Sequence, residues 1–122
     1  MRKNNFILSA ILSAAIFVLP SFVSAQSKPA SPPMEASAKV GAAEISMKWS
    51  APSVKGRSIW GALVSYDKVW RTGANAATTF TCSKAVKING KALAAGTYSF
   101  FTIPGKSEWT LIFNKQTDLW GS

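Results

Sequence analysis

The sequence predicts an all-β fold, an antiparallel β-sandwich or small open barrel, and three observations carry that reading. Beyond residue 25, apolar and polar residues alternate in short runs. Turn-forming residues interrupt those runs about every ten positions, and no stretch repeats with the period of a helix. With 48% hydrophobic residues in a chain of 122, there is enough apolar material for one core and not for two.

The first 25 residues are set apart from that domain as a signal peptide. Arg2 and Lys3 make a basic start, Phe6 to Leu19 form an apolar run broken only by small residues, and Val23-Ser24-Ala25 offers the small side chains that a signal peptidase reads. The run is shorter than the roughly 20 residues of a membrane-spanning helix, so cleavage after Ala25 is expected. Gln26, not a cysteine, stands directly after that point, so no lipid anchor is expected there. A periplasmic or secreted protein with no membrane span after cleavage is the expectation.

Residues 26–35, rich in Ser, Pro, Ala and Lys, read as a linker, and the domain is expected over 36–122. A strand over Ala38 to Val40 turning at Gly41 leads into Glu44 to Ser50, where Ile45, Met47 and Trp49 alternate strictly with polar residues. Pro52 and Gly56 mark an irregular connection, because proline cannot donate to a sheet ladder and glycine permits a turn. Ser58 to Tyr66 reads equally as strand or as a short helical turn. Asp67-Lys68 and Gly73-Ala74-Asn75 are turns that flank Val69-Trp70, and a Thr-rich strand follows at 78–82.

Asn89-Gly90, between Val86-Lys87-Ile88 and Lys91-Ala92-Leu93, is the strongest local signal. It specifies a two-residue hairpin with both turn residues at positive φ. A second hairpin joins the strand from Gly96 to Ile103, through Pro104-Gly105, to Glu108–Asn114, and both faces of these strands are apolar. Central strands, or a covering layer from outside the chain, would each explain that. The chain stops at Asp118-Leu119-Trp120-Gly121-Ser122 without a polar tail, so at least one further strand is expected past Ser122.

Charge and cysteine content narrow the function. The formal charge is +9, with 14 Lys and Arg against 5 Asp and Glu, but the lysines are spaced singly and not in the clusters that grip nucleic acid, which is not an expected partner. There is no histidine, which removes the usual general base and the commonest transition-metal ligand, and no metal or cofactor is expected. The five carboxylates are scattered, and no hydroxyl sits in a nucleophile motif. Cys82, the single cysteine, shares a strand face with Phe80 and reads as a small buried hydrophobe.

Pro52-Ser53-Val54-Lys55-Gly56-Arg57 and Lys68-Val69-Trp70-Arg71-Thr72-Gly73-Ala74-Asn75 stand in an order that, with Ala95-Gly96-Thr97-Tyr98-Ser99, Ile103-Pro104-Gly105 and Glu108-Trp109-Thr110, resembles one family. That family is the bacterial one catalogued as domain of unknown function 2911, and the resemblance runs from about residue 35 to the end. It implies exported bacterial proteins with a β-rich domain, and it carries no catalytic residue to transfer. Two positions depart from its pattern: Ala76 stands where a glutamate is usual and Trp49 where a tyrosine is. Losing a carboxylate beside Arg71 weakens any scheme in which an acid and that arginine act together.

The candidate site is Arg57, Trp70, Arg71 and Asn75. An arginine presents a rigid fork to carboxylate or phosphate, a tryptophan offers a flat face to a sugar ring, and an asparagine both donates and accepts. If the four converge, they suit an anionic, hydroxyl-rich partner such as an envelope glycan or lipid head group. The competing reading is structural. Gly73 turns the chain, Asn75 bonds local amides, Trp70 fills the core and Arg71 lays its stem on it. A module that binds another envelope protein is the alternative function, and an enzyme is a third.

Overall fold

The computed structural model describes residues 20–21 and 27–120. Apart from Pro20 and Ser21, the expected signal peptide and its cleavage site lie outside the described residues. Seven strands follow in the order β1 (Pro33–Val40), β2 (Ala43–Ser50), β3 (Thr79–Cys82), β4 (Val86–Ile88), β5 (Lys91–Leu93), β6 (Gly96–Pro104) and β7 (Trp109–Asn114). Five form one antiparallel sheet in the order β1-β2-β3-β6-β7, and β4 and β5 form a separate two-stranded hairpin. The described residues contain no helix and the large sheet does not close, so the fold is all-β and sandwich-like, not a closed barrel.

The register explains where the core sits. Met47 faces Phe80 and Ile45 faces Cys82 across β2 and β3, Phe80 faces Tyr98 across β3 and β6, and Phe100 faces Phe113 across β6 and β7. Side chains paired in this way share one face of the sheet. The β4-β5 hairpin folds onto that face with Val86, Ile88 and Leu93, and buries Phe80, Cys82 and Tyr98 beneath it. Asn89 at φ 49° and Gly90 at φ 77° turn the hairpin as its sequence specifies. Ala94, at its exit, accepts hydrogen bonds from the Tyr98 hydroxyl at 2.7 Å and the Cys82 thiol at 3.4 Å, which clamp the hairpin onto the sheet.

Cys82 is the small buried residue its strand position implies. A thiol reagent is expected to leave native protein unmodified and to label one thiol per chain after denaturation, because a covered thiol must wait for the fold to open. Rapid labelling of the native protein would contradict this packing.

The opposite face carries Ser99 and Phe101, both buried. The chain after β7 turns back to reach it: the Ser99 hydroxyl donates to the Gln116 carbonyl, and Ala77 N–H donates to the Leu119 carbonyl at 3.0 Å. β6 is therefore central and needs apolar residues on both sides, whereas β7 is an edge that leaves Trp109 and Leu111 exposed.

Two segments differ from their sequence expectation. β1 begins at Pro33, inside the stretch read as linker, and its eight residues are all exposed. Met34, Ala36, Ala38 and Val40 alternate with Glu35, Ser37 and Lys39, but the small alanines and the prolines Pro32 and Pro33 blunt that period as a strand signal, and the pairing with β2 rests largely on main-chain hydrogen bonds. Ser58 to Tyr66 is neither strand nor helix but a compact run of turns around a Trp60–Val64 bridge, closed by Val64 N–H to the Ile59 carbonyl at 2.9 Å. Gly61, at φ 78°, breaks both regular alternatives, and the Tyr66 ring packs where its Cβ would be.

Gly105 marks the β6-β7 turn for a steric reason. A Cβ there would collide with the Glu108 carbonyl oxygen, a backbone atom that cannot swing aside. Gly105→Ala is therefore expected to destabilise by about 1–3 kcal/mol, read as a lower urea midpoint at unchanged slope.

Candidate functional site

The segment that follows Tyr66 is attached to β6 beyond the point where β3 ends. Asp67 N–H donates to the Pro104 carbonyl at 2.8 Å, and Trp70 and Thr102 exchange two hydrogen bonds of 2.7 and 2.9 Å. Trp70 thus lies on the same sheet face as Thr102 and, through the β6-β7 register of Pro104 with Trp109, on the face of Trp109. Trp60 comes down from the turn-rich loop to meet both. The three rings pack edge to face, with centroids 5.9 Å apart for Trp60 and Trp70, 5.2 Å for Trp60 and Trp109, and 6.3 Å for Trp70 and Trp109. Each such pair contributes about 0.5–1.5 kcal/mol beyond its area burial.

After Arg71 the backbone reverses at Thr72, which has φ 58°. A β-branched residue there costs about 1–3 kcal/mol. Its neighbours hold it in place: the Thr72 hydroxyl lies 3.1 Å from the Trp70 carbonyl and 3.0 Å from the Thr102 hydroxyl, and the Thr78 hydroxyl donates to the Thr72 carbonyl at 2.9 Å. Ala74 N–H then donates to the Ser50 carbonyl at 3.0 Å, which ties the loop to the end of β2. Gly73 is required here for close approach, since a Cβ would sit 3.0 Å from the Thr78 hydroxyl and 3.1 Å from the Ser50 carbonyl.

Between this segment and the loop over residues 52–64 lies an open cleft of ≈ 720 Å³, within the range of small-molecule sites. Ile59, Trp60, Leu63, Val69 and Trp70 form its apolar wall, and Arg57, Arg71 and Ser53 also line it. No Asp or Glu contributes, so the two guanidiniums set the sign of its field. Trp60 is 49% and Leu63 55% exposed, an apolar surface that the described residues leave uncovered.

The two arginines are held differently. Val54-Lys55-Gly56-Arg57 is a tight turn with Lys55 at φ 49° and Gly56 at φ 68°, closed by Arg57 N–H to the Val54 carbonyl at 3.0 Å. The Arg57 guanidinium bends back onto this turn, with Nε 3.1 Å from the Val54 carbonyl and Nη2 2.7 Å from the Ser53 carbonyl. Arg71 is half-buried. Its Nε donates to the Gly73 carbonyl at 3.3 Å, and its guanidinium carbon stands 6.0 Å from the Trp120 ring centroid, at cation–π range. In both cases main-chain carbonyls take part of the fork and leave the remaining N–H groups for a ligand.

Of the four residues expected to converge, Arg57, Trp70 and Arg71 line this cleft and Asn75 does not. Asn75 is exposed at φ 59°, where it supplies the left-handed turn that leads to Ala76. Reading along the chain missed Trp60, Leu63 and Val69, which make the wall, and Trp109, which backs it. Their only sequence signal was an abundance of tryptophan, five in the chain.

A second hollow of ≈ 430 Å³ lies beside the last residues of β2, Lys48, Trp49 and Ser50, next to the start of β1. Trp49 and Ala76 both line it. Among the described residues no group of three or more His, Cys, Asp and Glu is placed to hold a metal ion.

The family described as Protein of unknown function (DUF2911) matches residues 31–122, three-quarters of the chain, and the chain belongs to that family. No curated protein and no solved structure matches it.

Proposed function

We propose, with that family membership as the premise, that the chain is an exported binding module whose cleft takes an anionic, hydroxyl-rich envelope ligand. A phosphorylated or carboxylated glycan, or a glycolipid head group, is the chemical class. One observation carries this reading: two guanidiniums and a tryptophan-rich wall line the same open cleft, and no carboxylate lines it. Arginine recognises carboxylate and phosphate through paired N–H groups, while an aromatic wall accepts the apolar face of a sugar ring. Export is supported by the basic start, the apolar run and the small residues before Gln26.

A second reading, a module that docks another envelope protein, draws on a different observation. Val54, Trp60, Leu63, Val69, Trp109 and Leu111 are all exposed, and a cluster of that kind on a surface suits a protein contact.

A glycan and lipid array probed with the purified protein, beside its Arg71→Ala variant, separates the two. Retention on phosphorylated or carboxylated glycans, lost on Arg71→Ala, supports the ligand reading. Equal signals from the two proteins would remove Arg71 from the site.

A further inference from the structure

β1 presents an edge that none of the described residues pairs with, and the order of its residues is complementary to itself. The strand reads Pro33-Met34-Glu35-Ala36-Ser37-Ala38-Lys39-Val40, exposed throughout. In an antiparallel pair the main-chain groups of alternate residues point to alternate sides. Ala51 N–H donates to the Pro32 carbonyl, and the register continues through Met34 with Trp49 and Ala36 with Met47. The even-numbered residues therefore bond to β2, and the N–H and C=O groups of Glu35, Ser37 and Lys39 face away from the sheet.

We propose that two copies of the chain pair antiparallel through β1, about a two-fold axis at Ser37, and join their sheets into one of ten strands. In that register the residues with outward main-chain groups meet each other: Ser37 with Ser37, Glu35 with Lys39 of the second copy, and Lys39 with its Glu35. Each of these pairs exchanges two N–H···O=C hydrogen bonds. The side chains agree with the backbone. Glu35 and Lys39 come opposite one another twice, while Met34 and Val40, 46% and 58% exposed, come opposite one another twice on the other face. Ala36 and Ala38 fill the positions between them.

The charges also select the pairing. A parallel arrangement would set Glu35 beside Glu35 and Lys39 beside Lys39, and an antiparallel register slipped by two residues leaves Glu35 without its lysine. Charged residues and proline on an edge strand discourage indiscriminate strand addition. Pro33 has no N–H to offer there and closes the edge at that end. The same charges, arranged symmetrically about Ser37, admit a second copy of this strand.

Sedimentation equilibrium over a concentration series from about 1 µM to about 1 mM tests this. Wild type is expected to move from monomer to twice the monomer mass. Glu35→Lys and Lys39→Glu should each return it to monomer, because each sets like charges opposite one another twice. The double variant E35K/K39E exchanges the partners and should restore the dimer. Ser37→Pro removes the two central donors, whose N–H groups have no partner among the described residues of one chain, and should give folded monomer by circular dichroism. A wild type that stays monomeric throughout, a dimer that persists in Ser37→Pro, or a double variant no better than the singles would each overturn the proposal.

Discussion

Phe80→Ala is expected to lower the free energy of unfolding by about 3–5 kcal/mol. Phe80 is buried at the middle of β3, and its ring meets Phe113 edge to face with centroids 5.1 Å apart. Across the sheet it faces Met47 on one side and Tyr98 on the other. Removing the ring loses its transfer free energy and leaves a hole that neighbours cannot fill. They belong to β2, β6, β7 and the β4-β5 hairpin, each held by its own hydrogen-bond ladder. Against a typical total stability of about 5–15 kcal/mol, that is about a fifth or more of what holds the domain together. Urea unfolding followed by tryptophan fluorescence measures it. Trp120→Ala, at a position 71% exposed, serves as the control and should move stability by no more than about 1 kcal/mol. A Phe80→Ala loss as small as that of the control would show that the hairpin does not close over this face.

Arg71→Ala is expected to weaken ligand binding by about 10- to 100-fold, the loss of one or two charge-assisted hydrogen bonds at about 1.5–3 kcal/mol. The fold should tolerate it. Arg71 bonds within the chain to one main-chain carbonyl and stacks near Trp120, interactions worth about 1–2 kcal/mol together. Arg71→Lys tests the chemistry more narrowly, because it keeps the charge and discards the planar fork. Most of the affinity should stay lost if the ligand is held in bidentate fashion. Titration of a phosphorylated glycan taken from the array, followed by Trp60 and Trp70 fluorescence, reads both variants. Full affinity in Arg71→Lys would mean that charge alone is recognised. Full affinity in Arg71→Ala would move the site elsewhere.

Several elements are plain in the residues. Ile45, Met47 and Trp49 face one side of β2 because a strand repeats every two residues, and Asn89-Gly90 turns the β4-β5 hairpin because both positions require positive φ. Cys82 is buried with Phe80 for the same reason of period. β1 escaped in part, since its alternation of Met34, Ala36, Ala38 and Val40 with polar residues leans on small alanines and follows directly on Pro32 and Pro33, which read as linker. Ser58 to Tyr66 escaped because Gly61 and the packing of Tyr66 against it impose an irregular path that neither period describes.

Half of the candidate site was legible and half was not. Arg57, Trp70 and Arg71 are conspicuous as residue types, and the structure sets them around one cleft. Asn75 is as conspicuous, yet its place in a left-handed turn carries it away from the cleft. Trp60 and Trp109 join Trp70 only because β6 pairs with β7 in one particular register and because two hydrogen bonds lock Trp70 to Thr102.

By itself the sequence determined the strands with a buried face, the tight hairpin turn, the antiparallel all-β class and the cationic, tryptophan-rich character of the domain. Those properties are written within a few neighbouring residues, through side-chain alternation and allowed φ. The order of strands, the closing of the β4-β5 hairpin over Phe80 and the opening of the cleft were decided only by the tertiary structure. Each depends on hydrogen bonds and contacts between segments far apart in the chain, and no local pattern encodes which distant edge a strand will meet.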